Sequence, residues 1–141
     1  GASLHDVLRD GIAGFADDAR IEIDPGAPAI RLAPGAAVTF AMAVHELATN
    51  AMKYGALSTP EGRVVVSWQI AGTDTDRPTL RFRWEERDGP PVEPPSRKGF
   101  GTRLLESALA HEVEGDVVLH HLKAGVVCEM TMPLGTQLMR A

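Results

Sequence analysis

Apolar positions along the chain alternate between a helical and an extended period. From Ser3 to about Ala16, Leu4, Val7, Leu8, Ile12 and Phe15 recur at helical spacing. That predicts an amphipathic helix, with Ser3 and Asp6 suited to its N-cap. Gly11 and Gly14 weaken its second half. Two short strands are expected next, Arg20 to Asp24 and roughly Ala29 to Leu32, with Pro25 and Gly26 turning the chain between them. Pro34 fits the first turn of a helix and Gly55 fits its end. Between them an apolar stripe is read as Val38 and Met42, with Phe40, Val44, Leu47, Ala48 and Ala51 close by.

The period then shortens to two. Arg63 to Ile70 reads as a strand with Val64, Val66, Trp68 and Ile70 on one face. After a polar loop, Leu80 to Glu86 reads as its neighbour, with Leu80, Phe82 and Trp84 on one face and charges on the other. Residues 87–98 hold four prolines and read as an extended surface loop. Gly99, Phe100 and Gly101 lead into a helix from Thr102 to about Glu112, and strands are expected at Asp116 to Leu122 and Val126 to Pro133. This order predicts an α+β fold: a two-layer α/β sandwich with a mixed, mostly antiparallel sheet and helices on one face.

The chain has 141 residues, the size of one domain, so residues 1–141 are expected to share a single core. The formal net charge is −5 and the basic residues are scattered, which gives no footprint for nucleic acid. No apolar run approaches the ~20 residues of a membrane span. The single cysteine, Cys128, excludes an internal disulfide and fits a reducing, cytoplasmic setting. In its apolar run it reads as a buried small hydrophobe.

Three features carry candidate chemistry. Glu46, Asn50, Lys53 and Tyr54 fall on one strip near the C-terminal end of the long helix. Mg²⁺ takes oxygen ligands and retains waters, so an asparagine oxygen with phosphates makes a reasonable shell. Taken alone, an ordinary solvated face with i,i+3 or i,i+4 polar pairs explains the same strip more simply. Glu86 continues the apolar row of Leu80, Phe82 and Trp84. Buried there, it needs hydrogen-bond donors, which an adenine amine supplies; at a frayed strand end, water supplies them. Gly99, Phe100, Gly101 and Thr102 stand at a helix start, where backbone amides can approach phosphate, although such glycines also serve plain loops. The loop before them is placed to close over a nucleotide. His45-Glu46 opens like the zinc-protease pattern H-E-x-x-H, but Thr49 stands where the second ligand is required, and that reading fails.

Taken together, HELATNAMKYGALS, WEERDGPPV and GFGTRLLESAL resemble the ATP-binding domain of the HWE histidine kinases, a branch of the Bergerat (GHKL) fold group shared with gyrase-like and MutL-like ATPases. The resemblance runs from about residue 20 to Pro133. It implies ATP and Mg²⁺ as cofactors. It implies that Asn50 ligates the metal, that Glu46 helps activate the phosphate acceptor, and that Lys53 and Tyr54 lie near the phosphates and adenine. Glu86 takes the place of the adenine-binding aspartate, Gly89 belongs to the first glycine box, and Gly99, Phe100, Gly101, Thr102 and Arg103 form the second. His45 is the histidine of the family name and is grouped with Glu46 at the catalytic end. Asp88 departs from the pattern W-x-E-x-G-G-P, since it stands where a glycine is usual.

The implied partners are a phosphoacceptor histidine domain and a response regulator. The acceptor sits on a dimerising helix hairpin in such kinases, and the segment before Pro34 is partly strands, so the acceptor is expected on another domain or chain. The alternatives are an ATPase or serine kinase on the same fold, or a non-catalytic module that binds a regulator.

Overall fold

A computed structural model describes residues 1–15, 18–92, 106–108, 110–112 and 114–141. Strands β1 (Ala2–Ser3), β2 (Ile21–Ile23), β3 (Ile30–Leu32), β4 (Arg63–Ala71), β5 (Thr79–Arg87), β6 (Asp116–Leu122), β7 (Gly125–Pro133) and β8 (Leu138–Arg140) combine with helices α1 (Leu4–Ile12) and α2 (Pro34–Lys53). Residues 106–108 and 110–112 are helical, as expected for the later helix.

The main sheet has the order β2-β4-β5-β7-β6, with β2 parallel to β4 and the other pairs antiparallel. Register places Val66 opposite Trp84 and Trp84 opposite Cys128, so the even positions of β4 and β5 share a face with Cys128, Met130 and Met132. Helix α2 covers that face. Its buried positions are Ala36, Thr39, Phe40, Ala43, Val44, Leu47, Ala48 and Ala51, two adjacent rows of residues four apart that form one stripe. Phe40 meets Phe82 edge-on with ring centroids 5.6 Å apart. Val38 and Met42 lie off this stripe, 60% and 43% exposed, which corrects the stripe expected from sequence. Because apolar residues surround α2 at nearly every azimuth, periodicity alone chose the wrong line.

Helix α1 starts where expected, with the Ser3 hydroxyl accepting from Asp6 N at 3.0 Å. It stops at Ile12 rather than near residue 16, two residues before Gly14, with Phe15 N closing a turn on Ile12 O. The two short strands go to different sheets. After the turn in which Asp24 Oδ1 accepts from Gly26 N, β3 leaves β2 and pairs with β1 and β8 in a small three-stranded sheet. Strands β1 and β8 have no clear alternation in the sequence; the pairing available in the fold creates them.

Candidate functional site

The C-terminal half of α2 and the end of β5 meet at one corner. On α2, Asn50 Nδ2 donates to Glu46 Oε1 at 3.2 Å, as the i,i+4 spacing allows. Both residues are half-buried. With the amide nitrogen engaged on Glu46, the Asn50 oxygen is the end open to a cation. His45, on the neighbouring azimuth, is exposed and places its ring 5.7 Å from that of Phe15. Lys53 ends the helix, and Tyr54, which caps it, is 76% exposed.

Beyond Tyr54 the chain tightens. Gly55 N donates to Asn50 O at 3.2 Å and to Ala51 O at 3.0 Å. A Cβ on Gly55 would collide with Glu86 Oε1, so only glycine lets the backbone pass here. The following 3₁₀ turn, Ala56–Ser58, then aims Ala56 N at Glu86 Oε1, 2.9 Å away.

Strand β5 does not fray before residue 86; it runs through Arg87. Glu86 is 5% exposed, on the same face as Leu80, Phe82 and Trp84. Its second oxygen, Oε2, accepts from Trp84 Nε1 at 3.2 Å. Burial raises its pKa above the ordinary glutamate value, while the Ala56 and Trp84 donors pull the other way. A carboxylate offers about four lone-pair sites, and two are used here, so acceptor capacity remains for a ligand's N–H. Gly89 lies against Ala56, where any Cβ would strike the Ala56 backbone. Asp88 takes the left-handed conformation, φ 58°, that a glycine adopts without strain, and its carboxylate sits 3.4 Å from Arg63 Nε. The departure at Asp88 therefore preserves a turn.

The structure thus brings Glu46, Asn50, Gly55, Ala56, Glu86 and Gly89 into one connected region. Gly99, Phe100, Gly101, Thr102 and Arg103 lie outside the described residues, as does most of the loop before them. Ala56 and Gly55 were not legible as site residues, since a backbone donor leaves no mark in sequence. The Trp84 indole was legible in part, because residues i and i+2 of a strand share a face.

A cavity of about 440 Å³ lies elsewhere, on the opposite face of the sheet, between Glu22, Asp24, Ser67, Arg83, Glu85 and Arg87. Both of its arginines are paired: Arg87 with Glu85, and Arg83 with Glu85 and with Glu129 outside the cavity. The Arg87 guanidinium holds the Glu85 carboxyl below its usual range. Among the described residues no cluster of His, Cys, Asp and Glu is arranged to hold a metal, and no helix is long and apolar enough to cross a membrane.

Searched against protein-family models, the chain matches none. It is 33% identical over 134 residues to a blue-light-activated histidine kinase of Brucella ovis, a match that covers 95% of this chain and 27% of that protein. The chain therefore spans about a quarter of the length of the curated relatives it matches. Among solved structures, the blue-light activated histidine kinase of Erythrobacter litoralis superposes with a TM-score of 0.68 at 18% identity, over 93% of this chain and 40% of that one. The catalytic domain of the histidine kinase ThkA superposes with a TM-score of 0.66 at 16% identity, over 94% of each chain. Along nearly its whole length the chain is similar in sequence to a segment of these histidine kinases, and its α+β fold is the one seen in the catalytic domain of ThkA.

Proposed function

We propose that this domain binds Mg-ATP and donates the γ-phosphoryl group to a histidine on a separate dimerisation domain, for onward transfer to a response regulator in the cytoplasm. We also place it in the HWE branch, on His45, Trp84 and Glu86. The observation that carries the proposal is the junction at Gly55 and Ala56. It sets a buried carboxylate, Glu86, directly against the end of the helix that carries Glu46, Asn50 and Lys53.

The residues present fit the nucleotide. Glu86 retains lone pairs for an exocyclic amine. The Asn50 oxygen is the free end of its amide and suits a hard cation. Lys53, exposed at the helix end, supplies positive charge for phosphate. Glu46, oriented by Asn50, is the group to accept a proton from an incoming imidazole. When bound, Mg-ATP supplies the phosphoryl group and the metal charge that offsets the phosphates, leaving the protein chiefly to position them. Gly99, Phe100, Gly101, Thr102 and Arg103 complete the phosphate side of this reading. Tyr54 completes the base side.

Isothermal titration with Mg-ADP tests the binding step, and absence of binding rejects it. Asn50→Ala is expected to remove the magnesium dependence of binding. Transfer of label from γ-labelled ATP to a separately supplied helix-hairpin domain tests the reaction. Steady hydrolysis without transfer to histidine points instead to an ATPase.

A further inference from the structure

We propose that Arg20 is a positioning residue for the Glu86 carboxylate: its guanidinium ties the 57–62 backbone into a fixed turn, and that turn keeps the Ala56 N–H on Glu86. The inference rests on the reading that Glu86 meets the base of an adenine nucleotide.

Arg20 closes the 3₁₀ turn Asp18–Arg20 and immediately precedes β2. Its Nη1 donates to the carbonyls of Thr59, Pro60 and Gly62 at 2.5, 3.1 and 2.7 Å. Its Nη2 donates to the carbonyl of Leu57 at 3.1 Å. One side chain thus gathers four carbonyls from a segment about forty residues away that has no ladder of its own. A planar guanidinium can do this; a lysine ammonium, with three donors on one atom, cannot span the same set. The anchor is itself fixed, because β2 pairs in parallel with β4, and β4 begins at Arg63, where the turn ends.

The turn encloses Ala56 tightly. A Cβ on Gly62 would overlap the Ala56 carbonyl, and a Cβ on Gly89 would meet the Ala56 backbone from the other side. Ala56 is therefore held between the 57–62 turn and the end of β5, with its N–H directed at Glu86 Oε1. Without Arg20, four carbonyls, three of them partly buried, lose a shared donor and the turn relaxes. Ala56 N–H then leaves Glu86 Oε1, Trp84 alone orients the carboxylate, and its free lone pairs no longer face a fixed direction. Arg20 touches no ligand in this scheme; it acts through the turn.

Paired titrations with Mg-ADP and Mg-IDP provide the test, because hypoxanthine lacks the amine that adenine offers. The native chain is expected to prefer Mg-ADP. In Arg20→Ala, shown to be folded by its circular dichroism and cooperative melting, the preference is expected to fall about tenfold, which is about 1.4 kcal/mol. In a Glu86→Gln background the same substitution should leave the ratio unchanged, since the effect passes through Glu86. A purely structural role weakens both nucleotides equally in both backgrounds. An unchanged ratio in folded Arg20→Ala overturns the proposal. If that variant does not fold, Arg20→Lys takes its place under the same criterion. If the native chain binds neither nucleotide, the functional reading fails, and hydrogen exchange at Ala56 still decides the role of Arg20. An acceleration of Ala56 exchange over the native chain at least tenfold larger than any acceleration in the β4–β5 ladder supports it, and Ala56 exchange unaltered from the native chain rejects it.

Discussion

Replacing Trp84 with phenylalanine isolates the indole N–H that grips Glu86. Trp84 is wholly buried and its N–H lies 3.2 Å from Glu86 Oε2. Loss of a hydrogen bond to a charged acceptor costs roughly 1.5–3 kcal/mol. The missing ring atoms leave a void on the order of 40 Å³, which adds about 1 kcal/mol at ~24 cal/mol per Å³. Trp84→Phe should therefore lose roughly 2.5–4 kcal/mol at pH 7, read from urea unfolding with an unchanged slope.

The pH dependence separates the two parts. Burial raises the Glu86 pKa in the fold, so the charged carboxyl lowers stability above that pKa, and the cost is relieved as pH falls through it. Glu86 in the folded protein takes up its proton at a higher pH than an ordinary glutamate, so lowering the pH to 4.5 drives it toward the neutral form. The Trp84 bond then has a neutral acceptor, worth about 0.5–1.5 kcal/mol, and the penalty of the substitution should shrink by about 1 kcal/mol while the packing part persists. A loss below about 1 kcal/mol at pH 7, or one equal at both pH values, refutes the grip.

Three further outcomes follow from the same geometry. Mg-ADP affinity should fall with pH through a midpoint above 4.5, because an ionised Glu86 must accept the base amine; Glu86→Gln should remove this acid limb and weaken binding at pH 7, both read by titration calorimetry. Asp88→Gly should raise the urea midpoint by roughly 0.5 kcal/mol of stability, since relief of the left-handed strain exceeds the loss of an exposed ion pair, whereas Asp88→Ala should lose about 1 kcal/mol; equal midpoints for the two contradict this. Cys128 is buried with its thiol pushed up to about 12, so a thiol reagent should label it in the folded protein only as fast as the sheet opens, and labelling at the rate of the urea-unfolded chain would disprove its burial.

Much of the secondary structure was legible because its cause is local. Period-2 alternation placed β4 and β5 and the face carrying Val64, Val66, Phe82 and Trp84, and Pro34 and Gly55 bracket α2 as expected. The strip of Glu46, Asn50, Lys53 and Tyr54 was also legible, since one helix sets their spacing. By itself, however, it did not distinguish a site from a solvated face.

Tertiary structure decided the remainder. Glu86 is a buried acceptor because Trp84 and the Ala56 backbone supply its donors, and Ala56 arrives there across 30 residues of chain. Strands β1 and β8 exist through pairing with β3, with little local signal of their own. Of the many apolar positions on α2, contact with the sheet selected Phe40 and Leu47 for the core and left Val38 and Met42 in water. Local spacing therefore specified which residues share an element. Which groups meet across elements, and which carboxylate is thereby buried, depended on close packing that only the assembled fold provides.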